Sequence, residues 1–176
     1  MNWKEFLQAE IESAYATSAR LIDKLPPGSL AWKPATGSNW MSVEQLLKHL
    51  TNACGAGCHG LVKGNWGLPP GKSLLDLSPE EMMPLAEKMP ALTSLEQARA
   101  LLAEDKVIAL RMVEQADEAG LMDQPMPIPW APAESMILGR QLFRMIQHLD
   151  RHNSQLFYYL KLQGVPVNTD DLWGGV

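Results

Sequence analysis

The sequence predicts an all-α fold, a four-helix bundle whose helices are joined by long crossover loops. Four segments of the 176-residue chain repeat apolar side chains with the 3.6-residue period of a helix. Almost no segment shows the alternation of β-branched and polar residues that a half-buried strand would have. The stretches between the four segments exceed the about 2–8 residues that usually join neighbouring helices. A chain of this length is expected to form one domain, over residues 1–176.

The first two helices have clear boundary signals. A first helix is predicted from about Trp3 to Lys24, and the sequence PPG ends it. The second begins after Ser42, which can cap it, and Gln45 three residues later can complete a capping box. The apolar face of this helix is predicted to continue to Leu61, where "GNWGLPPG" ends it.

The third and fourth helices follow proline-rich segments. "SPEEMMPLAEKMP" predicts only a short helix, because its prolines prevent a longer one. The third long helix begins at Ser94, where Gln97 repeats the capping pattern, and is predicted to continue towards Gly120. "DQPMPIPWAPAE" contains four prolines and can be neither helix nor inner strand. The last helix is predicted from about Ser135 to Gln163, with a glycine and a proline beyond it.

Charge and hydropathy exclude several classes of partner. The net charge of −5 without a basic cluster argues against binding to nucleic acid or to an anionic membrane surface. No apolar run approaches the about 20 residues of a membrane helix. The N-terminal sequence "MNWKEFLQAEIESAY" lacks the basic and apolar regions of a secretory signal. We therefore expect a cytoplasmic protein that acts on a small molecule.

The two cysteines, Cys54 and Cys58, are too few for a disulfide framework. At four-residue spacing on a helix their side chains run side by side, which is a poor geometry for a bridge. They are interpreted as small core residues of a protein in a reducing compartment.

The histidines are the candidate chemical groups. His148 and His152 would lie about 40° apart around the last helix and about 6 Å apart along it, close enough to reach one ion. They flank the apolar stripe, as His49 does on the second helix. Surface positions, polar groups at a helix seam and metal ligands all remain open. His59 would lie about 15 Å from His49 along one helix and is interpreted as a loop or surface residue. Asp150 points away from His148 and is predicted to be solvated.

Three sequence elements together resemble the DinB-like family, four-helix bundles with metal sites. The first two elements lie in "LAWKPATGSNWMSVEQLLKHL", and the third is "MIQHLDRHNSQLFYYLKLQGVP". The residues that match the family pattern are Trp32, Lys33 and Pro34 before the second helix, His49 within it, and His148, His152, Gln155, Gly164 and Pro166 in and after the last helix. The sequence departs from the pattern at Asn153 and Ser154, where the family usually has a basic and a small residue. The resemblance covers nearly the whole chain.

The resemblance implies an up-down-down-up bundle in which His49, His148 and His152 bind a divalent transition metal. It also implies frequent homodimers. Zinc and nickel are the first expectations for three imidazoles, and iron and copper also accept such ligands, so the sequence leaves the metal open.

Three neutral imidazoles would leave a divalent ion with its full charge and an open position, as in catalytic zinc sites. Leu149 stands where an H-E-x-x-H peptidase has its glutamate, so peptidase chemistry of that kind is not expected. The resemblance implies either a transferase that activates a low-molecular-weight thiol (an S-transferase) or a metal-dependent hydrolase. The transferase is the leading hypothesis, because the predicted site is open and cationic and contains no carboxylate base. A bundle that only binds a metal or small ligand remains a third hypothesis. Gln155 is the candidate catalytic residue, with an ordinary hydrogen bond at the bundle edge as the alternative.

Aromatic residues near the histidine helices are candidates for substrate binding. Trp40 and Trp130 lie in the flanking loops, and Tyr159 continues the polar row of the last helix. Trp40 and Trp130, with Trp173 in the C-terminal tail, would form the apolar rim of a pocket, and Tyr159 is a further candidate for substrate binding. The alternative is that they pack loops onto the ends of the bundle.

Overall fold

The structure, a computed structural model, describes residues 2–174 and is mostly helical. Its elements in chain order are α1 (Trp3–Asp23), α2 (Val43–Leu50), α3 (Gly55–Lys63), α4 (Pro79–Met82), α5 (Leu95–Gln115), α6 (Glu118–Met122), β1 (Pro125–Ile128), β2 (Ala131–Ile137), α7 (Leu138–Leu162) and α8 (Thr169–Trp173). Short 3₁₀ turns cover Leu74–Asp76 and Ala86–Lys88. The predicted all-α class is confirmed, with one small hairpin added. Within residues 2–174, none of the helices has the length and hydropathy needed to span a bilayer.

Contacts at separate points along α1 fix its direction relative to its two neighbours. The contacting pairs are Trp3–Gly139 and Ala14–Asn153 with α7, and Lys4–Glu114 and Asp23–Arg99 with α5. Helix α1 is therefore parallel to α7 and antiparallel to α5. Helices α2 and α3 run opposite to α7, because His49 approaches His152 whereas Gly57 approaches Met145. The order is up-down-down-up, as the resemblance implied.

Helix α7 buries one apolar stripe along most of its length. The fully buried residues of this stripe are Leu142, Ile146, Leu149, Leu156 and Leu160. These are the positions that the 3.6-residue period predicts. Helix α7 packs mainly against α1, and also against α2, α3 and α6. Because the stripe is buried, the residues on its two flanks lie at the seams with the neighbouring helices.

The continuous second helix predicted from the sequence is wrong, because the chain breaks between α2 and α3 at residues 51–54. The backbone amides of Gly55 and Ala56, at the start of α3, each donate to the Asp105 carboxylate over 2.9 Å. A Cβ atom at Gly55 would lie 2.1 Å from the Asp105 carbonyl oxygen, so only glycine allows this approach. A side chain from α5 thus caps α3 in place of a residue of its own segment.

The prediction that Cys54 and Cys58 are small core residues is confirmed. Both side chains are fully buried and both thiols are free. Their sulfur atoms lie 4.0 Å apart, about twice the length of a disulfide bond.

The third long helix differs from its prediction at both ends. Ser94 caps α5 by accepting a hydrogen bond from the amide of Gln97, but the Gln97 side chain accepts from the amide and hydroxyl of Thr93 instead. The reciprocal capping box predicted here is therefore wrong. The helix also ends at Gln115 instead of continuing towards Gly120, because the next residues start the separate helix α6.

The last long helix begins at Leu138 rather than Ser135, because residues 131–137 form strand β2. This strand pairs antiparallel with β1, and Met126 lies opposite Met136. The buried Gln141 side chain donates to the carbonyl oxygens of both methionines and so attaches the hairpin to α7. A two-stranded sheet has only edge strands, which is why the prolines of this segment are tolerated.

Candidate metal centre

The short helix α2 positions His49. Ser42 and Gln45 form the predicted capping box, in which the Ser42 amide donates to the Gln45 side chain over 2.9 Å. The apolar face of α2 is fully buried, which fixes the rotation of the helix. His49 lies on the flank of that face and is half-buried, so its ring reaches the seam between α2 and α7.

Helix α7 supplies the other two rings to the same seam. His148 and His152 are one turn apart, on either side of the buried Leu149 in sequence, and both are half-buried. The rings of His49 and His152 have centroids 4.4 Å apart, and those of His148 and His152 are 4.8 Å apart. The structure therefore brings together the three histidines that the sequence and the resemblance indicate.

The three rings point the same nitrogen at a shared point. The Nε2 atom of His148 lies 3.1 Å from Nε2 of His49 and 3.1 Å from Nε2 of His152. A tetrahedral ion with bonds of about 2.0–2.1 Å to nitrogen would place two ligand nitrogens about 3.3 Å apart. Within residues 2–174, this is the one group of three or more metal-capable side chains whose donor atoms lie within 4.8 Å of one another. The geometry fits a divalent transition metal.

The other ring nitrogen of His148 is held by the break between α2 and α3. Its Nδ1 atom lies 3.1 Å from the carbonyl oxygen of Ala53, a residue of that break. A carbonyl oxygen only accepts hydrogen bonds, so Nδ1 carries the proton and Nε2 of the neutral ring keeps its lone pair for a metal.

Gln155 contacts a ligand and is not itself in the ligand set. Its side-chain oxygen lies 3.0 Å from Nδ1 of His152, and this hydrogen bond leaves Nε2 of His152 as an acceptor. Two acceptor nitrogens, on His148 and His152, then face each other over 3.1 Å with no proton between them. A shared cation would relieve the repulsion of their lone pairs.

Burial keeps the three rings neutral. It lowers the pKa of His49 to about 4, with a further contribution from the two neighbouring histidines. Burial also lowers the pKa of His148 and of His152, although their hydrogen bonds to Ala53 and Gln155 act in the opposite direction. All three histidines are therefore unprotonated at neutral pH, which is the form that binds metals.

The lowered pKa values predict a loss of stability in acid. In the unfolded chain each histidine has a pKa of about 6.5, so below that pH the unfolded state binds more protons than the folded state. The free energy of unfolding of the metal-free protein should therefore fall as the pH falls from about 6.5 towards the folded-state value of about 4 for His49. Urea titrations at pH 7 and pH 5 would measure this fall.

A His49→Asn variant is the control for this prediction, because it removes one of the three histidines and leaves all carboxyl groups unchanged. The variant should lose less stability between pH 7 and pH 5 than the parent does. An equal or larger loss in the variant would show that the site does not set the acid sensitivity.

The structure separates the aromatic residues that the sequence groups around a pocket. The rings of Trp40 and Tyr159 are 6.3 Å apart, on the C-terminal side of the histidines along α7. The Trp130 ring instead lies edge-on to the ring of Trp66, with the centroids 6.1 Å apart. The Trp66 ring packs against Gly60 of α3, on the N-terminal side of the histidines along α7. Tyr159 is 2% exposed, and its hydroxyl is hydrogen-bonded to the Gln155 side chain and the Met41 carbonyl oxygen. A role of these three residues in binding substrate stays a prediction.

Two further residues singled out in the sequence lie outside the triad. His59 lies on α3, and its Nδ1 atom is 3.1 Å from the carbonyl oxygen of Asn65. Asp150 is exposed, as predicted.

The sequence did not indicate Asp105, which orders the break beside the site. The sequence signal that could have found it is its position in the apolar stripe of the third helix, between Leu102 and Ala109, which indicates a buried carboxylate. A carboxylate on a buried face needs partners, and here they are the Tyr15 hydroxyl and the two amides at the start of α3.

Comparison with known families agrees with this architecture. The sequence model of the DinB superfamily matches residues 10–156, which is more than half of the chain. The matched segment contains all three histidines and Gln155, and it ends before Tyr159. No curated protein and no solved structure matches the chain. Fold, histidine cluster and sequence match agree, and the chain belongs to the DinB superfamily.

Proposed function

We propose that the protein is a metal-dependent enzyme that activates a low-molecular-weight thiol at the three-histidine site, in an S-transferase type of reaction. The observation that carries the proposal is the convergence of three Nε2 atoms on one point, with two of the opposite nitrogens already bonded to Ala53 and Gln155. A divalent ion held there by neutral ligands would keep its full charge and lower the pKa of a thiol at its remaining position.

The composition of the site supports a thiol as the activated group. The donor cluster in the described part of the chain consists of histidines alone, with no carboxylate among its ligands. Glutamate is the general base of H-E-x-x-H hydrolases, and here Leu149 occupies that place and is fully buried in the core. A thiol needs less help than water, because its own pKa of about 8.5 is already near neutrality.

In the proposed reaction, the residues of the chain would bind the metal ion and orient the imidazole rings that hold it. His49 joins α2 to α7, and the Ala53 carbonyl and the Gln155 side chain keep the rings of His148 and His152 turned towards the shared point. The thiol loses its proton to solvent, its sulfur forms a bond to an electrophilic carbon, and the leaving group departs with the electron pair of the broken bond.

An assay of the metal-loaded protein with several small thiols and electrophiles tests this function. We expect thiol consumption to be accelerated by added zinc or nickel and abolished by a chelator. The His59→Ala variant should keep the activity, because His59 is outside the cluster.

The same assay separates the alternatives. Turnover of esters or amides without any thiol, with a pH optimum that follows ionisation of water, would reassign the protein as a metal-dependent hydrolase. Stoichiometric metal without acceleration of any reaction would leave a metal-binding bundle that is not an enzyme.

A further inference from the structure

A row of three hydrogen bonds leads from the backbone of one loop to His152. The Tyr159 hydroxyl donates to the carbonyl oxygen of Met41 over 2.9 Å. The side-chain nitrogen of Gln155 donates to the Tyr159 hydroxyl oxygen over 3.1 Å, and the Gln155 oxygen lies 3.0 Å from Nδ1 of His152. These bonds join a residue just before α2 to a candidate metal ligand in the middle of α7.

The direction of every bond in this row follows from its first member. The Met41 carbonyl can only accept, so the proton of the Tyr159 hydroxyl points towards Met41. The hydroxyl oxygen is then an acceptor for Gln155, which must turn its NH₂ group towards Tyr159. The Gln155 oxygen consequently faces His152 and requires a proton on Nδ1.

We propose that Tyr159 and Gln155 are positioning residues that hold His152 in the tautomer with the proton on Nδ1, so that its Nε2 atom is free for the metal. The inference rests on the proposed metal site and adds two residues to it, of which Tyr159 lies beyond the segment matched by the family. Neither residue would be a ligand of the ion. Each acts through the next hydrogen bond in the row.

Packing around Tyr159 makes the row rigid. The side chain is 2% exposed, and its ring makes edge contacts with Trp32 at 5.2 Å and Trp40 at 6.3 Å. A reversed Gln155 amide would present NH₂ to His152 and oxygen to Tyr159. The hydroxyl would then turn to Gln155, and the Met41 carbonyl would lose its partner. The packed ring therefore favours one orientation of the amide.

A double-mutant cycle separates this role from simple packing. Tyr159→Phe keeps the ring and removes the hydroxyl, so the Gln155 amide loses its orientation. Gln155→Glu replaces the amide by a carboxylate, which accepts from His152 in either orientation and no longer needs Tyr159. The measurement is the affinity for Zn²⁺ in competition with a chromophoric chelator.

We expect Tyr159→Phe to weaken zinc binding about tenfold in the parent, at the lower end of the about 10–100-fold cost of losing an outer-shell partner. In the Gln155→Glu background the same substitution should change the affinity less than about twofold, since the orienting role is gone. Tyr158→Phe is the matched control, because this neighbouring tyrosine is 62% exposed and should have no effect. Equal losses from Tyr159→Phe in both backgrounds would overturn the proposal, because packing alone predicts that result.

A second readout does not depend on metal binding at all. Long-range ¹⁵N–¹H NMR correlations of the metal-free protein report which nitrogen of His152 carries the proton. We expect the Nδ1-protonated form in the parent and a mixture in Tyr159→Phe. An Nε2-protonated His152 in the parent would overturn the proposal. A chain that shows the expected tautomers and yet binds no metal would refute the proposed function and leave the hydrogen-bonded row supported.

Discussion

Replacing His148 with alanine should remove the metal from the protein. His148 is the central ring, because its Nε2 atom lies 3.1 Å from the Nε2 atoms of both His49 and His152. Without it two ligands on different helices remain, and the loss of affinity should exceed the about 10–100-fold that an outer partner contributes. We expect near-stoichiometric transition metal in the purified parent and a small fraction of it in His148→Ala, measured by elemental analysis. His49→Ala should give the same result.

His59→Ala is the control for the metal analysis, and thermal unfolding provides a second measurement. His59 bonds to the carbonyl oxygen of Asn65 and stands outside the cluster, so its replacement should leave the metal content unchanged. A chelator should lower the melting temperature of the parent and of His59→Ala, because a metal held only by the native state favours folding. The same chelator should not affect His148→Ala. Full metal content in His148→Ala would refute the site.

Replacing Asp105 with alanine should destabilise the protein by about 2 kcal/mol or more, because two donors lose their acceptor and each buried polar group left without a partner costs about 1–3 kcal/mol. Asp105 is 3% exposed and accepts hydrogen bonds from the Tyr15 hydroxyl at 2.6 Å and from the amides of Gly55 and Ala56 at 2.9 Å. The variant leaves the Tyr15 hydroxyl and the Ala56 amide without this acceptor, whereas the Gly55 amide keeps its longer hydrogen bond of 3.2 Å to the Tyr15 hydroxyl oxygen. Urea unfolding monitored by circular dichroism would measure the loss.

Asp105→Asn is the conservative comparison. It retains one acceptor oxygen but turns an NH₂ group towards one of its former donors, so its loss of stability should be intermediate. Metal affinity should weaken in Asp105→Ala as well, because the break that this carboxylate orders contains Ala53, the partner of His148. A change in the free energy of unfolding below about 1 kcal/mol would show that water replaces the carboxylate at little cost.

Much of this architecture is readable from local sequence. The 3.6-residue period marks the long helices, and the Ser42–Gln45 capping box marks the start of α2 because its chemistry lies within four residues. The pair His148 and His152 is likewise local. The family resemblance grouped His49 with this pair, and its ring meets that of His148 across 99 residues of sequence.

The features that the sequence did not predict depend on distant partners. The break after α2 has no proline to mark it, and it is ordered by Asp105, 50 residues from Gly55. The outer partners of the ligands include the backbone carbonyls of Ala53 and Met41, which any residue type can supply. The proline-rich hairpin is attached by Gln141, whose buried position becomes visible only once the strands are paired.

The distribution of the site over the helices has a consequence for metal exchange. His148, His152, Gln155 and Tyr159 all lie on one face of the single long helix α7, so they keep their relative positions whenever that helix stays intact. His49 comes from α2, a helix of only eight residues. An opening of α2 alone would uncover the ion without melting the bundle, and such local openings need less free energy than global unfolding. Uptake and release of the metal should therefore follow the opening rate of this short segment.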